Sequence, residues 1–376
     1  MIGEEEQMVQ ETARRFADER LAPFAADWEA AGALPRTMLT DLGALGFLGM
    51  TVDPAWGGAG FGYVAYALAL MEIARGDAST STVMSVQNAP VCAILERFGN
   101  DAQKERWLRP LAEGRMIGAF ALTEPHAGSD AAAMRSRARR TNTGYVVDGA
   151  KQFITSGAIA GVAVVFAVTD PEAGKRGITA FAVPTDTPGF EIAKPEAKLG
   201  QKASDTCALR FEGMSIGDDH RIGEEGDGYR IALSSLESGR IGIAAQSTGL
   251  ARAAFDHAVA YARDRESFGV PIKDHQAVAF RLAEMATRTE AAQALTLEAA
   301  RLKDAGQPAL ERAAMAKLFA SEAAEWVASQ AIQVLGGYGY LQDFPVERIY
   351  RDAKVCQLYE GTSDIQKLLI ARSILA

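Results

Sequence analysis

Cysteine and histidine are scarce in this 376-residue chain. The three cysteines, Cys92, Cys207 and Cys356, lie far apart, which points to a reducing compartment and away from a disulfide framework. The four histidines, His126, His220, His257 and His275, show no H-x-x-H or H-x-H spacing, and no cysteines are paired. No transition-metal site is therefore expected. Positive charge is also short: Lys and Arg number 39 against 48 Asp and Glu, a net charge of −9. That balance argues against a nucleic-acid surface. The basic cluster Arg135, Arg137, Arg139 and Arg140 reads as a solvated loop or strand edge, with contact to ligand phosphates as the alternative. No uninterrupted apolar run is long enough to cross a membrane. The start, Gly3-Glu4-Glu5-Glu6, is acidic and amphipathic, unlike a signal or basic transit peptide, so a cytoplasmic location is expected.

What remains is an ordinary globular composition, 48% hydrophobic and 23% charged, long enough for two or three domains. Helical periodicity dominates residues 3–30, where Val9, Ala13, Phe16, Leu21, Phe24 and Trp28 recur between charges. Further helices are predicted over 39–47, 63–75, 79–98 and 101–113. The glycines of Asp53–Gly62 follow no predicted strand and miss the G-x-G-x-x-G spacing, so they read as a structural turn. From about Phe120 to Phe211 short β-prone runs alternate with turns: Tyr145–Val147, Phe153-Ile154, Val162–Val168, Ile178–Val183, Phe190–Ile192 and Cys207–Phe211. Long helices return over 229–263 and 274–304. The second carries a stripe of Val278, Leu282, Met285, Thr289, Ala292, Leu295, Ala299 and Leu302. A third helix presents Met315, Phe319, Ala323, Trp326, Gln330 and Val334, and residues 362–374 form the last. The expected architecture is mainly α. An N-terminal helical domain (1–119) precedes a small β-barrel or sandwich middle domain (120–225) and a C-terminal four-helix bundle (226–376).

One stretch concentrates chemistry: Leu358-Tyr359-Glu360-Gly361-Thr362-Ser363-Asp364-Ile365-Gln366. Ser363 and Gln366 have capping-box spacing, followed by Leu368, Leu369 and Ile370. Glu360 then lies just outside a helix N-terminus. The helix dipole favours its carboxylate and apolar neighbours disfavour it, a balance suited to a general base near neutral pH. Those nine residues alone fit a carboxylate that only stabilises a helix; the rest of the chain shifts the reading towards catalysis.

The order of helical, β and helical parts, ending in Tyr-Glu-Gly-Thr-Ser, resembles the acyl-CoA dehydrogenase family. Motifs along almost the whole chain carry the resemblance: Leu122–Asp130 (LTEPHAGSD), Phe153–Thr155, Arg263–Gly269 (RDRESFG), His275-Gln276, Gln333–Gly337 (QVLGG) and Arg351–Lys354 (RDAK). The resemblance implies bound FAD and oxidation of an acyl-CoA thioester to the trans-2-enoyl-CoA, with electrons passed to an electron-transferring flavoprotein. It also implies a homotetramer built as a dimer of dimers. Glu360 would take the α proton while the hydride goes to flavin N5. The thioester carbonyl would be held by the Glu360 N–H and a ribityl hydroxyl, as in an oxyanion hole.

Other roles carry over by position. The backbone around Phe120, Leu122 and Thr123, together with Ser129, matches the flavin loop, and Ser129 also lies near the acyl-CoA. Phe153, where relatives often have Trp, and Thr155 match the residues beside the isoalloxazine; ordinary strand packing is their other explanation. Arg265, Phe268, Gln276, Gln333, Gly336 and Gly337 match positions gripping the neighbouring subunit's FAD, and Thr362 and Asp364 match cofactor contacts. Glu237, Arg240, Tyr359 and Gly361 match the substrate side. Relatives often carry Asp at Glu237, and the simpler account of Glu237 with Arg240 is an i,i+3 ion pair. Some relatives place the base where this chain has Gly239, which leaves Glu360 as the base. The segments 78–86 and 236–244 look most like short-chain, butyryl-type members, and branched isobutyryl-type members share much of the same pattern. An acyl-CoA oxidase using dioxygen is the competing enzyme, although oxidases of this type usually carry a further C-terminal domain. A non-catalytic flavoprotein of the same fold is the competing non-enzyme.

Overall fold

The computed structural model describes residues 2–375. The first third is helical: α1 (Glu4–Phe16), α2 (Ala25–Ala31), α3 (Arg36–Ala44), α4 (Tyr63–Gly76), α5 (Ala78–Val86), α6 (Ala93–Phe98), α7 (Asp101–Gln103) and α8 (Arg109–Ala112). The stripe expected over 3–30 breaks into α1, a π-turn at Ala17–Leu21, and α2. Val9, Ala13, Phe16 and Leu21 are buried, but Phe24 is exposed. The Asp53–Gly62 segment is a structural turn. The Asp53 carboxylate accepts from the Ala55 N–H, and Gly58 packs so tightly on Val52 that a Cβ would lie 2.0 Å from its carbonyl oxygen.

The middle of the chain forms one eight-stranded sheet of β1 (Gly118–Ala121), β2 (Arg137–Arg140), β3 (Gly144–Thr155), β4 (Val162–Val168), β5 (Ile178–Pro184), β6 (Phe190–Pro195), β7 (Thr206–Gly217) and β8 (Arg221–Ile222). The order is β6-β7-β3-β2-β4-β5-β8, with β1 parallel to β4. β4 is buried on both faces, which is why Val-Ala-Val-Val-Phe-Ala-Val shows no alternation. β1, β2 and β8 went unpredicted because strands this short leave little pattern. The arginine cluster runs onto β2, where Ala138 points inward and the arginines outward. Arg139 pairs with Asp148 and Arg140 with Asp218, as a solvated edge requires.

The last third holds α9 (Gly228–Asp264), a short hairpin of β9 (Glu266–Ser267) and β10 (Val270–Pro271), α10 (Gln276–Asp304), α11 (Leu310–Leu335), α12 (Pro345–Ala353) and α13 (Ser363–Ile374). The α10 stripe faces inward at Met285, Thr289, Ala292 and Ala299. The α11 stripe requires a correction. Met315, Phe319, Trp326 and Gln330 are only half-buried, and the innermost face is Ala313, Ala316, Lys317, Ala320, Ala324, Ala328 and Ala331. Small side chains let α11 approach α9 closely, and the larger ones fill the flanks. α12, which sequence periodicity missed, is stapled to distant parts of the chain. The Arg351 guanidinium pairs with Glu29 of α2 and donates to the Leu199 carbonyl, and the buried Asp352 carboxylate accepts from the Gln201 N–H.

Candidate active site

The segment after α12 turns sharply at two residues with left-handed backbone, Glu360 (φ 53°) and Gly361 (φ 90°). For glutamate this conformation is uncommon and must be held by its surroundings. The Gln366 side-chain amide donates to the Glu360 carbonyl at 3.2 Å and the Gly361 carbonyl at 2.8 Å. The buried Lys317 ammonium donates to the same Gly361 carbonyl at 2.7 Å. This geometry corrects the expected capping box. Thr362 is the extended residue before α13, and its Oγ1 accepts the Ile365 N–H at 3.3 Å. Ser363 is already helical and its buried hydroxyl finds no partner, while Gln366 reaches back across the turn.

The Glu360 Oε2 is buried without a hydrogen-bond partner. It lies against the bare Cα of Gly239, where a Cβ would sit 2.6 Å away. Burial pushes its carboxyl up to about 7, against the opposing charges of Arg240 and Lys317. No hydrogen bond among the described residues uses the Glu360 N–H. Arg240 is 5% exposed, and its Nε is likewise buried without a partner. The i,i+3 pair of Glu237 with Arg240 does not form, because Glu237 reaches Lys303 of α10 at 2.7 Å. The Tyr359 hydroxyl turns inward to the Gln246 carbonyl oxygen and Cys356. The Gln246 amide in turn donates to Ser81 at 2.8 Å and Thr82 at 2.7 Å.

A second group forms beside β3. The Thr123 carbonyl accepts the Gln152 N–H at 2.8 Å, and the Leu122 carbonyl accepts from the Lys151 ammonium at 3.0 Å. These bonds hold Thr123 against Gln152, the residue before Phe153 on the strand that ends at Thr155. Phe153 has φ 59° and is 65% exposed, an aromatic ring presented outward by a left-handed residue. Phe120 is half-buried and packs edge-on against Phe166, while the Leu122 side chain is buried and leaves its backbone to face a ligand. Ser129 is exposed. β1 and β3 both touch α5, which packs on α9, so this group adjoins the helix whose Gly239 lies against Glu360.

Of the remaining predicted residues, one set lies on the surface and the other, Thr362 and Asp364, directly follows the Glu360–Gly361 turn. Arg265, Phe268, Gln276, Gln333, Gly336 and Gly337 are exposed. Arg265, Gly336 and Gly337 line an open groove of about 540 Å³ with Tyr261 and Tyr338. Thr362 caps α13, and the Asp364 carboxylate is exposed, 3.6 Å from the Lys367 ammonium.

Three family models match the chain in succession: the acyl-CoA dehydrogenase N-terminal domain over residues 3–115, the middle domain over 119–214 and the C-terminal domain over 226–375. The chain belongs to the acyl-CoA dehydrogenase family. Across its whole length it is 44% identical to an acyl-CoA dehydrogenase of Bacillus subtilis, covering 99% of that protein. It is 46% identical to the mitochondrial short-chain specific acyl-CoA dehydrogenase of Rattus norvegicus, covering 91% of it. Butyryl-CoA dehydrogenase from Megasphaera elsdenii has the same fold, with a TM-score of 0.98 and 38% identity over 100% of this chain and 99% of that one. A chain from the structure described as the electron transferring flavoprotein of Acidaminococcus fermentans matches with a TM-score of 0.98 and 40% identity, over 100% and 99%. A glutaryl-CoA dehydrogenase from Mycobacterium smegmatis in complex with FADH2 matches at 0.94 and 34%, over 99% and 95%.

Sequence reasoning about this acyl-CoA dehydrogenase family member missed Lys317, which bonds the Glu360–Gly361 turn, and Gln246, which bonds Tyr359, and it read Gln366 as a cap where its amide holds the turn. Lys317 had a legible signal, a lysine three and four residues from alanines on an apolar helical face. Gln246 sits in a run of small residues on α9 and gave none.

Proposed function

We propose that this chain removes the α and β hydrogens of a short acyl-CoA thioester, with Glu360 as the base. The observation that carries the reading is Glu360 itself. Its carboxylate oxygen is buried and unpaired, its pKa lies near 7, and its own N–H has no partner among the described residues. That N–H can donate to the thioester carbonyl, where negative charge grows as the α proton leaves. The carboxylate beside it accepts that proton. Gly239 leaves the space the carboxylate occupies, and the buried Arg240 sets a positive charge nearby. Burial excludes water, so the base keeps no hydration shell to shed.

Bound FAD would supply the two-electron acceptor that the departing β hydride needs. The residues fit such a group. Phe153 offers an exposed ring face, Thr155 is half-buried beside it, and the 122–123 backbone is held alongside by Lys151 and Gln152. The groove with Arg265, Gly336 and Gly337 starts at the far end of α11. Sixteen residues separate Lys317 from Gln333 there, about 24 Å of helix. That distance supports a groove serving a neighbouring subunit's cofactor, and hence a homotetramer built as a dimer of dimers. Similarity to the short-chain relatives supports a butyryl-type substrate. Similarity to the Acidaminococcus fermentans chain supports an electron-transferring flavoprotein as acceptor.

The test is anaerobic single-turnover flavin reduction across straight, branched and aryl acyl-CoAs. Bleaching by butyryl-CoA in preference to chains of about eight carbons is expected. Protein that neither carries nor takes up FAD, or that no acyl-CoA bleaches, overturns the proposal. Oxygen uptake in place of electron transfer to the flavoprotein would move it to the oxidase reading.

A further inference from the structure

Lys317 is fully buried on the alanine face of α11, a position where a lysine is rarely tolerated without a partner. Its one hydrogen bond goes to the Gly361 carbonyl at 2.7 Å, inside the turn that carries Glu360. That carbonyl already accepts from Gln366 at 2.8 Å, so an apolar residue at 317 would leave no backbone group unpaired. The cost of burying an ammonium group is out of proportion to a bond the turn could do without. Its charge explains its presence better than its donor does.

We propose that Lys317 is a positioning residue for proton abstraction. Its ammonium group, seated on the Gly361 carbonyl next to Glu360, holds a positive charge beside the turn and favours the ionised base. The proposal rests on Glu360 being the base. The charged and titratable groups around the carboxylate are few. Arg240 comes from α9, Lys317 from α11 and Tyr66 from α4; Glu237 acts on Arg240, while Cys356 and Glu322, the latter 3.8 Å from the Lys367 ammonium, act on Lys317. Glu237 is neutralised by Lys303, and burial pushes the Tyr66 hydroxyl and the Cys356 thiol up, so both stay neutral. The positive charge acting on Glu360 therefore comes from Arg240 and Lys317. Burial lowers the Lys317 ammonium to about 8, still above Glu360 at about 7. The lysine thus remains charged over the range in which Glu360 loses its proton.

The test compares the FAD-loaded wild type with Lys317→Met and Lys317→Gln. Two quantities are followed against pH: kcat/KM for acyl-CoA, and the infrared band of the protonated carboxyl that Glu360→Gln removes. Methionine fills the space without charge or donor, and glutamine keeps a donor without charge. In both variants the ascending limb and the carboxyl midpoint should move up together by about one pH unit or more, as loss of a close opposite charge requires. The rate at pH 6.5 should fall about tenfold. If Lys317→Met does not accumulate, Lys317→Gln decides by the same two curves. Midpoints that stay at the wild-type pH in the folded variants overturn the role given to Lys317. If Glu360→Gln reduces flavin as fast as wild type, the base assignment fails instead, and the two failures are told apart.

Discussion

Glu360 is held in a conformation that glutamate seldom takes, with one oxygen buried and bonded to nothing. Both features cost stability, and the stability they cost depends on pH. The carboxyl has an ordinary value of 4.5 in the unfolded chain and about 7 in the fold. A raised carboxyl binds its proton more tightly when folded, so stability falls as pH rises from 4.5 through 7. Glu360→Gln removes that penalty. It should therefore be more stable than wild type at pH 8, by roughly 3 kcal/mol in denaturant melts, with the gap closing near pH 4. The same variant should lose at least about 10²-fold in single-turnover flavin reduction at unchanged FAD content. Reduction within tenfold of wild type would leave Glu360 as a helix-end carboxylate. In the wild type, kcat/KM should rise with pH through about 7, since the base must be ionised to act. Gly239 gives a complementary test. A Cβ there would lie 2.6 Å from Oε2, so Gly239→Ala must push the carboxylate aside. Displacement of about 1 Å is enough to cost up to 10²-fold in kcat. Full activity in that variant would mean the carboxylate has room the structure does not give it.

At the scale of elements, the buried pair Lys151–Glu124 holds the 122–124 backbone to β3. Lys151 donates to the Glu124 carboxylate at 2.9 Å and to the Leu122 carbonyl, while Glu124 accepts the N–H groups of Arg135 and Ser136. Lys151→Met leaves a buried carboxylate without its cation and should cost about 3–5 kcal/mol by denaturant melting. Adding Glu124→Gln should recover part of that loss; a double variant less stable than Lys151→Met would contradict the pairing. The visibility of such features in sequence was uneven. Long amphipathic helices and the β4 run were plain because their periodicity is set by burial of a whole face. α12 was not, since it is short, with Val346 and Ile349 as its only large buried apolar side chains, and its place depends on contacts with Glu29 and Gln201, far away in the chain. The α13 cap was misplaced by one residue, because Thr362 and Ser363 are equally good caps on paper and the positive φ at 360 and 361 decides between them. Glu360, Gly239 and Arg240 were legible as types at positions. That the three meet at one point required α9 and the turn to be packed together.

Over the whole molecule, apolar surface collects in the last third. Phe268 is 96% exposed, Tyr340 85% and Leu375 83%, and α13 buries only Gln366. A surface of this kind marks an interface, in keeping with the proposed tetramer. Light scattering should give four subunits per particle. Phe268→Glu should shift it towards smaller species and lower FAD retention together. A monomer with full FAD would contradict a site shared between subunits.

The staples on α12 tie the end of the chain to residues made much earlier. Arg351 meets Glu29 across 322 positions and Asp352 meets Gln201 across 151. On a ribosome, those partners wait until nearly all of the chain has emerged. Closing such long loops is slow, and the turn bearing Glu360 follows directly after. A nascent or truncated chain can hold much of its helical and β structure and still present no base. With Glu360 as the proposed base, a chain that has not yet made these contacts would be chemically silent.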